Sequence, residues 1–185
     1  MRSLPRYCPA QQRGAALIIA LILLMVMSLL GLSSIRATTS QEKMSANTYD
    51  RSLSFQAAEN ALRVGESKAK DWGDGKIGSA IDPAPPSNDV CNQTACSSAG
   101  LCQIPDPDCM TPRWNAANPP WQNTNAMGGL SGTPQYFVEA LSVDAPCNPK
   151  DPTTGLQNCK RFRITARSAG SGRATVVLQS IYATD

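Results

Sequence analysis

The chain has 185 residues, 42% of them hydrophobic and only 5% aromatic, with 17 Lys and Arg against 14 Asp and Glu. Once one long apolar segment is set aside, this length leaves room for a single modest domain of roughly 100 to 150 residues. Histidine is absent, which removes the commonest general base and metal ligand; Arg2, Arg6 and Arg13 carry the whole basic excess, so a chain without its first 14 residues is neutral and gives no reason to expect nucleic acid as a partner.

The leader, residues 1–14, holds those three arginines, Pro5, Pro9 and Cys8, and no acid. It meets an uncharged run over 15–32, AALIIALILLMVMSLLGL. As a helix rising about 1.5 Å per residue this run spans about 27 Å, close to the hydrocarbon thickness of a bilayer. The basic leader sets its N-terminal side in the cytoplasm. No helix breaker follows, since the next proline after Pro9 is Pro83. Instead, Ala46, Tyr49, Leu53, Ala57, Ala61 and Val64 recur at intervals of three or four, widened by Phe55, Ala58 and Leu62, with charges at Arg51, Glu59, Arg63 and Glu66 between them. The pattern predicts one helix over about 15–72, ended by Gly73 and Gly75. Its first half is apolar all round and its second, 33–72, amphipathic. At about 87 Å, such a helix needs a bilayer, neighbouring copies, or both in turn.

Residues 73–133 read as a Pro- and Cys-rich loop region, and the 76–152 stretch holds twelve of the fourteen prolines, which keeps regular elements short. Losing Cys8 with the leader leaves an even set: Cys91, Cys96, Cys102, Cys109, Cys147 and Cys159. In an exported chain an even set implies disulfides, and the spacings lack the paired C-x2-C knuckles of a zinc site. Fifteen connectivities are open; the expected one joins Cys147 to Cys159 and pairs the other four among themselves. Residues 134–185 form a strand region. The stretch 136–143 is rich in aromatic and β-branched residues. Phe162, Ile164 and Ala166 alternate with Arg161, Arg163, Thr165 and Arg167, and after a turn at Gly170, Ser171 and Gly172 the chain returns over 173–182 as the second arm of a hairpin. Three antiparallel strands laid on the amphipathic helix give an α+β domain.

The join Arg13-Gly14 before the apolar helix resembles the class III signal of type IV pilins and pseudopilins. The stretch 14–63, with the phrases QEKMSAN (41–47) and DRSLSFQAAENALR (50–63), resembles the N-terminal region of PilX minor pilins, and FRITARSAGSGRATVVLQSIYA (162–183) is similar to their closing hairpin. The resemblance implies a pilin-like α+β fold, cleavage by a prepilin peptidase between Gly14 and Ala15, and N-methylation of Ala15. Glycine before the cut suits a close backbone approach. It also implies a minor pilin, held in the inner membrane with its domain in the periplasm and then moved to the extracellular fibre near its tip. There it would prime assembly and support adhesion and twitching motility. Its partners would be the major pilin, other minor pilins, the prepilin peptidase and a large tip adhesin. One departure stands out: major pilins carry glutamate at the fifth position after the cut, where this chain has Ile19. That carboxylate is thought to offset the charge of a neighbour's terminal amine in an apolar setting. A subunit lacking it suits the fibre tip, where no earlier subunit presents an amine.

Other readings lie beside this one. A tip pseudopilin of a type II secretion system shares the leader and the missing carboxylate, and a ligand-binding tip adhesin or DNA-uptake module would use the cysteine-rich middle. Arg161, Arg163 and Arg167, with Lys160, read as a solvated sheet face before a binding patch. Trp114 and Trp121 are candidate anchors but more readily cover a small core. Asp106 and Asp108 lack the ligand order of a calcium loop, and Asn92-Gln93-Thr94 is a chance match to a glycosylation acceptor. No phosphate loop, nucleophile elbow or Ser-His or Cys-His arrangement is present, so no enzyme activity, cofactor or metal is expected.

Overall fold

A computed structural model describes residues 15–83, 90–125, 133–148, 158–168, 170 and 173–184, side chains 36 and 37 aside. The leader, with Gly14 and Cys8, and the turn at Ser171 and Gly172 lie outside the described residues. The chain divides into two units, Met1–Ala46 and Asn47–Asp185, and one helix, α1 (Ala15–Gly73), contributes to both.

In the first unit every described side chain is exposed. The hydroxyls of Ser28, Ser33, Thr38 and Thr39 each donate to the carbonyl one turn back, at 2.7 to 3.0 Å, so these polar atoms are satisfied inside the helix.

In the second unit α1 lies on a mixed sheet. Its strands are β1 (Leu101–Cys102), β2 (Gln122–Asn123), β3 (Gln135–Ala145), β4 (Cys159–Arg167) and β5 (Val177–Thr184). The order is β1-β3-β4-β5, with β2 also on β3. The β3, β4 and β5 ladders are antiparallel, whereas β1 runs parallel to β3, so the sheet is not purely antiparallel. Ala61, Ala69 and Trp72 bring the helix onto Tyr136, Val138 and Ala140 of β3 and Phe162, Ile164 and Ala166 of β4, and Ala57 and Ala58 are buried as well. Small residues on the helix allow a close approach. A Cβ added at Gly65 would sit 2.4 Å from Ile164 Cγ2 and 3.2 Å from Tyr136 Cδ2. Gly65→Ala is therefore expected to lower the thermal midpoint seen by circular dichroism, because overpacking of about 1–3 kcal/mol exceeds the roughly 1 kcal/mol gain in helix propensity.

The helix stops as its glycines predict. Lys76 N–H bonds Asp71 O at 2.9 Å, Gly75 N–H bonds Trp72 O at 3.0 Å, and Gly75 takes φ +72°. This is a Schellman end with glycine at the left-handed position. Lys160 Nζ on β4 donates to Gly73 O, adding a cation at the helix C-terminus.

Strand β5 begins at Val177, later than the alternation suggests, because residues 173–176 serve another purpose. Asp50 on α1 accepts Arg173 Nη1 at 3.0 Å and the Ala174 N–H at 2.8 Å. Ser168 and Val176 exchange bonds, with Val176 N–H donating to Ser168 Oγ at 2.9 Å and Ser168 N–H to Val176 O at 3.0 Å. The hairpin is thus tied to the helix before the strand ladder starts.

Candidate functional site

Two regions of the chain carry functional potential. The first is the opening of α1. Ala15 is its first residue, its first turn holds no acidic side chain, and Ile19 is 56% exposed. The helix is long and apolar enough to cross a bilayer by length and composition. Over 15–32, with the Ser28 hydroxyl satisfied inside the helix, its surface offers only hydrocarbon to its surroundings.

The second is the outer face of the sheet, away from α1, over which the cysteine-rich segment folds. Cys91 is joined to Cys109, Cys96 to Cys102, and Cys147 to Cys159. The first two staple the segment to itself, and the third closes the connection between β3 and β4. Each stabilises by restricting the unfolded chain, by about 2–4 kcal/mol.

At the centre of this face is a buried charge cluster. Glu139 of β3 is 1% exposed. Its Oε2 accepts Arg163 Nε at 2.8 Å, and its Oε1 lies 3.0 Å from Arg113 Nε as an ion pair without hydrogen-bond alignment. Arg113 comes from the short 3-10 turn Arg113–Asn115. Its Nη1 donates to Thr94 O at 2.8 Å and Cys96 Sγ at 3.1 Å, and its Nη2 to Gln103 O at 3.3 Å. Burial holds Arg113 below the usual guanidinium pKa, and Glu139 opposes that shift. One side chain thus links three points of the cysteine-rich segment to the sheet.

The arginine row of β4 is not the solvated face that its alternation suggests. Arg163 is engaged by Glu139, Arg161 donates to Pro146 O at 2.9 Å, and Arg167 donates to Gln135 Oε1 at 2.7 Å while lying 4.3 Å over the Trp121 ring. Trp121 also meets Phe137 edge-on at 4.9 Å, so it covers the sheet, while Trp114 stays 39% exposed. Asp106 is buried and its carboxylate accepts the N–H groups of Asn92 at 2.7 Å and Asp108 at 2.9 Å. It organises the loop. Among the described residues, no three His, Cys, Asp or Glu converge on a metal position.

At the opposite end, Asp50 has its carboxyl pKa held below the ordinary 3.8, first by the Ala174 N–H and then by Arg173. A depressed carboxylate stabilises the fold above its unfolded pKa and loses that contribution as pH falls through the folded value. The Ala174 amide resonance is therefore expected to shift on acidification below about pH 4, a change that Asp50→Asn removes.

Sequence comparison matches two family descriptions. Residues 13–63 match PilX N-terminal, and residues 92–184 match Type IV pilus assembly protein PilX C-term. No curated protein and no solved structure matches the chain.

Proposed function

The chain belongs to the PilX family of type IV pilus minor pilins, and from that premise we propose that it primes fibre assembly from a position at or near the pilus tip. The observation that carries this reading is the pairing of an apolar α1 segment over 15–32, which has no acidic residue in its first turn, with Ile19 at the fifth position after the Gly14 junction. The family is structural rather than catalytic. In this reading the protein is stored with 15–32 in the inner membrane and its domain in the periplasm. A prepilin peptidase cuts after Gly14 and methylates Ala15. The apolar helix then passes from lipid into a bundle of pilin helices, keeping its surface dry throughout. The major pilin and the other minor pilins contact it through this helix. The outer face of its disulfide-bonded domain is the side available to a large tip adhesin. Adhesion and twitching motility follow from the fibres it starts.

The test is a deletion strain scored for surface fibres by electron microscopy and for twitching. Loss of fibres, restored by the wild-type chain, supports the reading. Intact fibres together with failed enzyme secretion would assign the protein to a type II secretion system instead. Ile19→Glu is expected to spread the protein along the fibre in immunogold images, and an unchanged tip location would sink the explanation given for Ile19.

A further inference from the structure

An open pocket of about 490 Å3 lies on the outer face of the domain beside the buried charge cluster, within the usual size range of ligand sites. Ile104, Leu141, Pro105 and Pro112 supply its apolar wall. At its rim stands Met110, 99% exposed and adjacent to Cys109 of the Cys91–Cys109 disulfide. A flexible thioether held wholly in water is unusual for a packing residue and common on recognition surfaces. The charges in the wall are uneven. Glu139 is flanked by two guanidiniums, and the Asp106 carboxylate is buried, turned onto the N–H groups of Asn92 and Asp108. Arg113 and Glu139 side chains are 6% and 2% exposed, whereas that of Arg163 is 31% exposed. The charge presented to an incoming molecule is therefore the Arg163 cation. Its Nε is used on Glu139 Oε2, and its two terminal nitrogens make no hydrogen bond among the described residues. Gln93, also in the wall, has a side-chain carbonyl that is buried and without a donor among the described residues, so it is closed to an incoming molecule.

We propose that this pocket docks an extended segment of a partner protein carrying an aspartate or glutamate among small apolar residues. The carboxylate takes the free end of Arg163, and the apolar neighbours lie against Met110 and Leu141. A charge-assisted bond to a fork-shaped donor supplies both strength and orientation. The inference is independent of the pilus reading, because it rests on binding by the isolated protein.

The experiment immobilises the full chain in detergent micelles and offers it two peptide pools. Both have randomised Ala, Leu, Pro and Val flanks, one around a central glutamate and the other around a central glutamine. The glutamate pool should be retained about tenfold more strongly, the scale of one charge-assisted contact. Arg163→Gln should abolish the preference. Met110→Asp, at a fully exposed position that leaves the fold intact, should reduce retention of the same pool by a similar factor. Equal retention of the two pools, or no retention of either, overturns the proposal. Displacement by acetate at the peptide's own concentration also overturns it, because the site would then be a simple anion site.

Discussion

Gly14→Glu is expected to leave the protein in the inner membrane at its full 185-residue mass, and to reduce surface fibres to the level of a deletion strain. In the proposed cut after Gly14, the residue before the scissile bond would lie close to the peptidase backbone, an approach that a side chain would block. In the proposed processing, removal of residues 1–14 would leave 171 of the 185 residues and a new terminal amine on Ala15. Failure keeps Arg2, Arg6 and Arg13 fused to an apolar helix. A bundle of pilin helices would then have to enclose three extra cations, each costing several kcal/mol away from water unless paired. Intact mass of the membrane protein reads the cut, and fibre counts read its consequence. Normal fibre numbers from a chain that keeps its leader would show that the processing site is irrelevant to assembly. Cleavage beyond Leu32 in the wild-type chain would make α1 a removable signal rather than an assembly element.

Much of the architecture was legible because it depends on local rules. The unbroken three-and-four spacing through Ala57, Ala61 and Val64, with no proline before Pro83, dictates α1, and Gly73 and Gly75 mark its end. The alternation of Phe162, Ile164 and Ala166 places β4 and its buried face. The two-residue strands β1 and β2 were illegible, since a pair of residues has no period, and the parallel pairing of β1 with β3 depends on where a proline-rich loop travels. The role of Arg113 was equally hidden, because nothing local distinguishes it from a solvated arginine. The sequence of β3 does carry a signal of that cover. In β3, Tyr136, Val138 and Ala140 face the helix, yet the alternate positions Phe137, Glu139 and Leu141 include two large apolar residues. A strand apolar on both faces is covered on both faces. An acid fixed between them then requires a buried cation, and the arginine row of β4 lies in register to supply one, Glu139 opposite Arg163.

Arg113→Met is expected to destabilise the disulfide-bonded domain by about 3–5 kcal/mol, the usual cost of removing one partner from a buried charged network. The loss has two sources. Glu139, 1% exposed, would keep only Arg163, and the carbonyls of Thr94 and Gln103 would lose the Arg113 donor that ties them to the sheet. For a domain of this size such a loss lowers the thermal midpoint by roughly 2–4 °C per kcal/mol, visible in the near-ultraviolet signal of Trp121. Arg113→Lys keeps the charge but cannot reach three acceptors and Glu139 from one planar group, so an intermediate loss is expected. The double variant with Glu139→Gln separates the two sources. If the ion pair dominates, the double variant is less destabilised than the sum of its parts, with a coupling of about 0.5–3 kcal/mol. If the loop carbonyls dominate, the two effects add. A midpoint for Arg113→Met within a degree or two of wild type would mean that the disulfide-stapled segment is held to the sheet by the pairing of β1 with β3 without help, and that the cluster at Glu139 contributes charge to the outer face rather than stability.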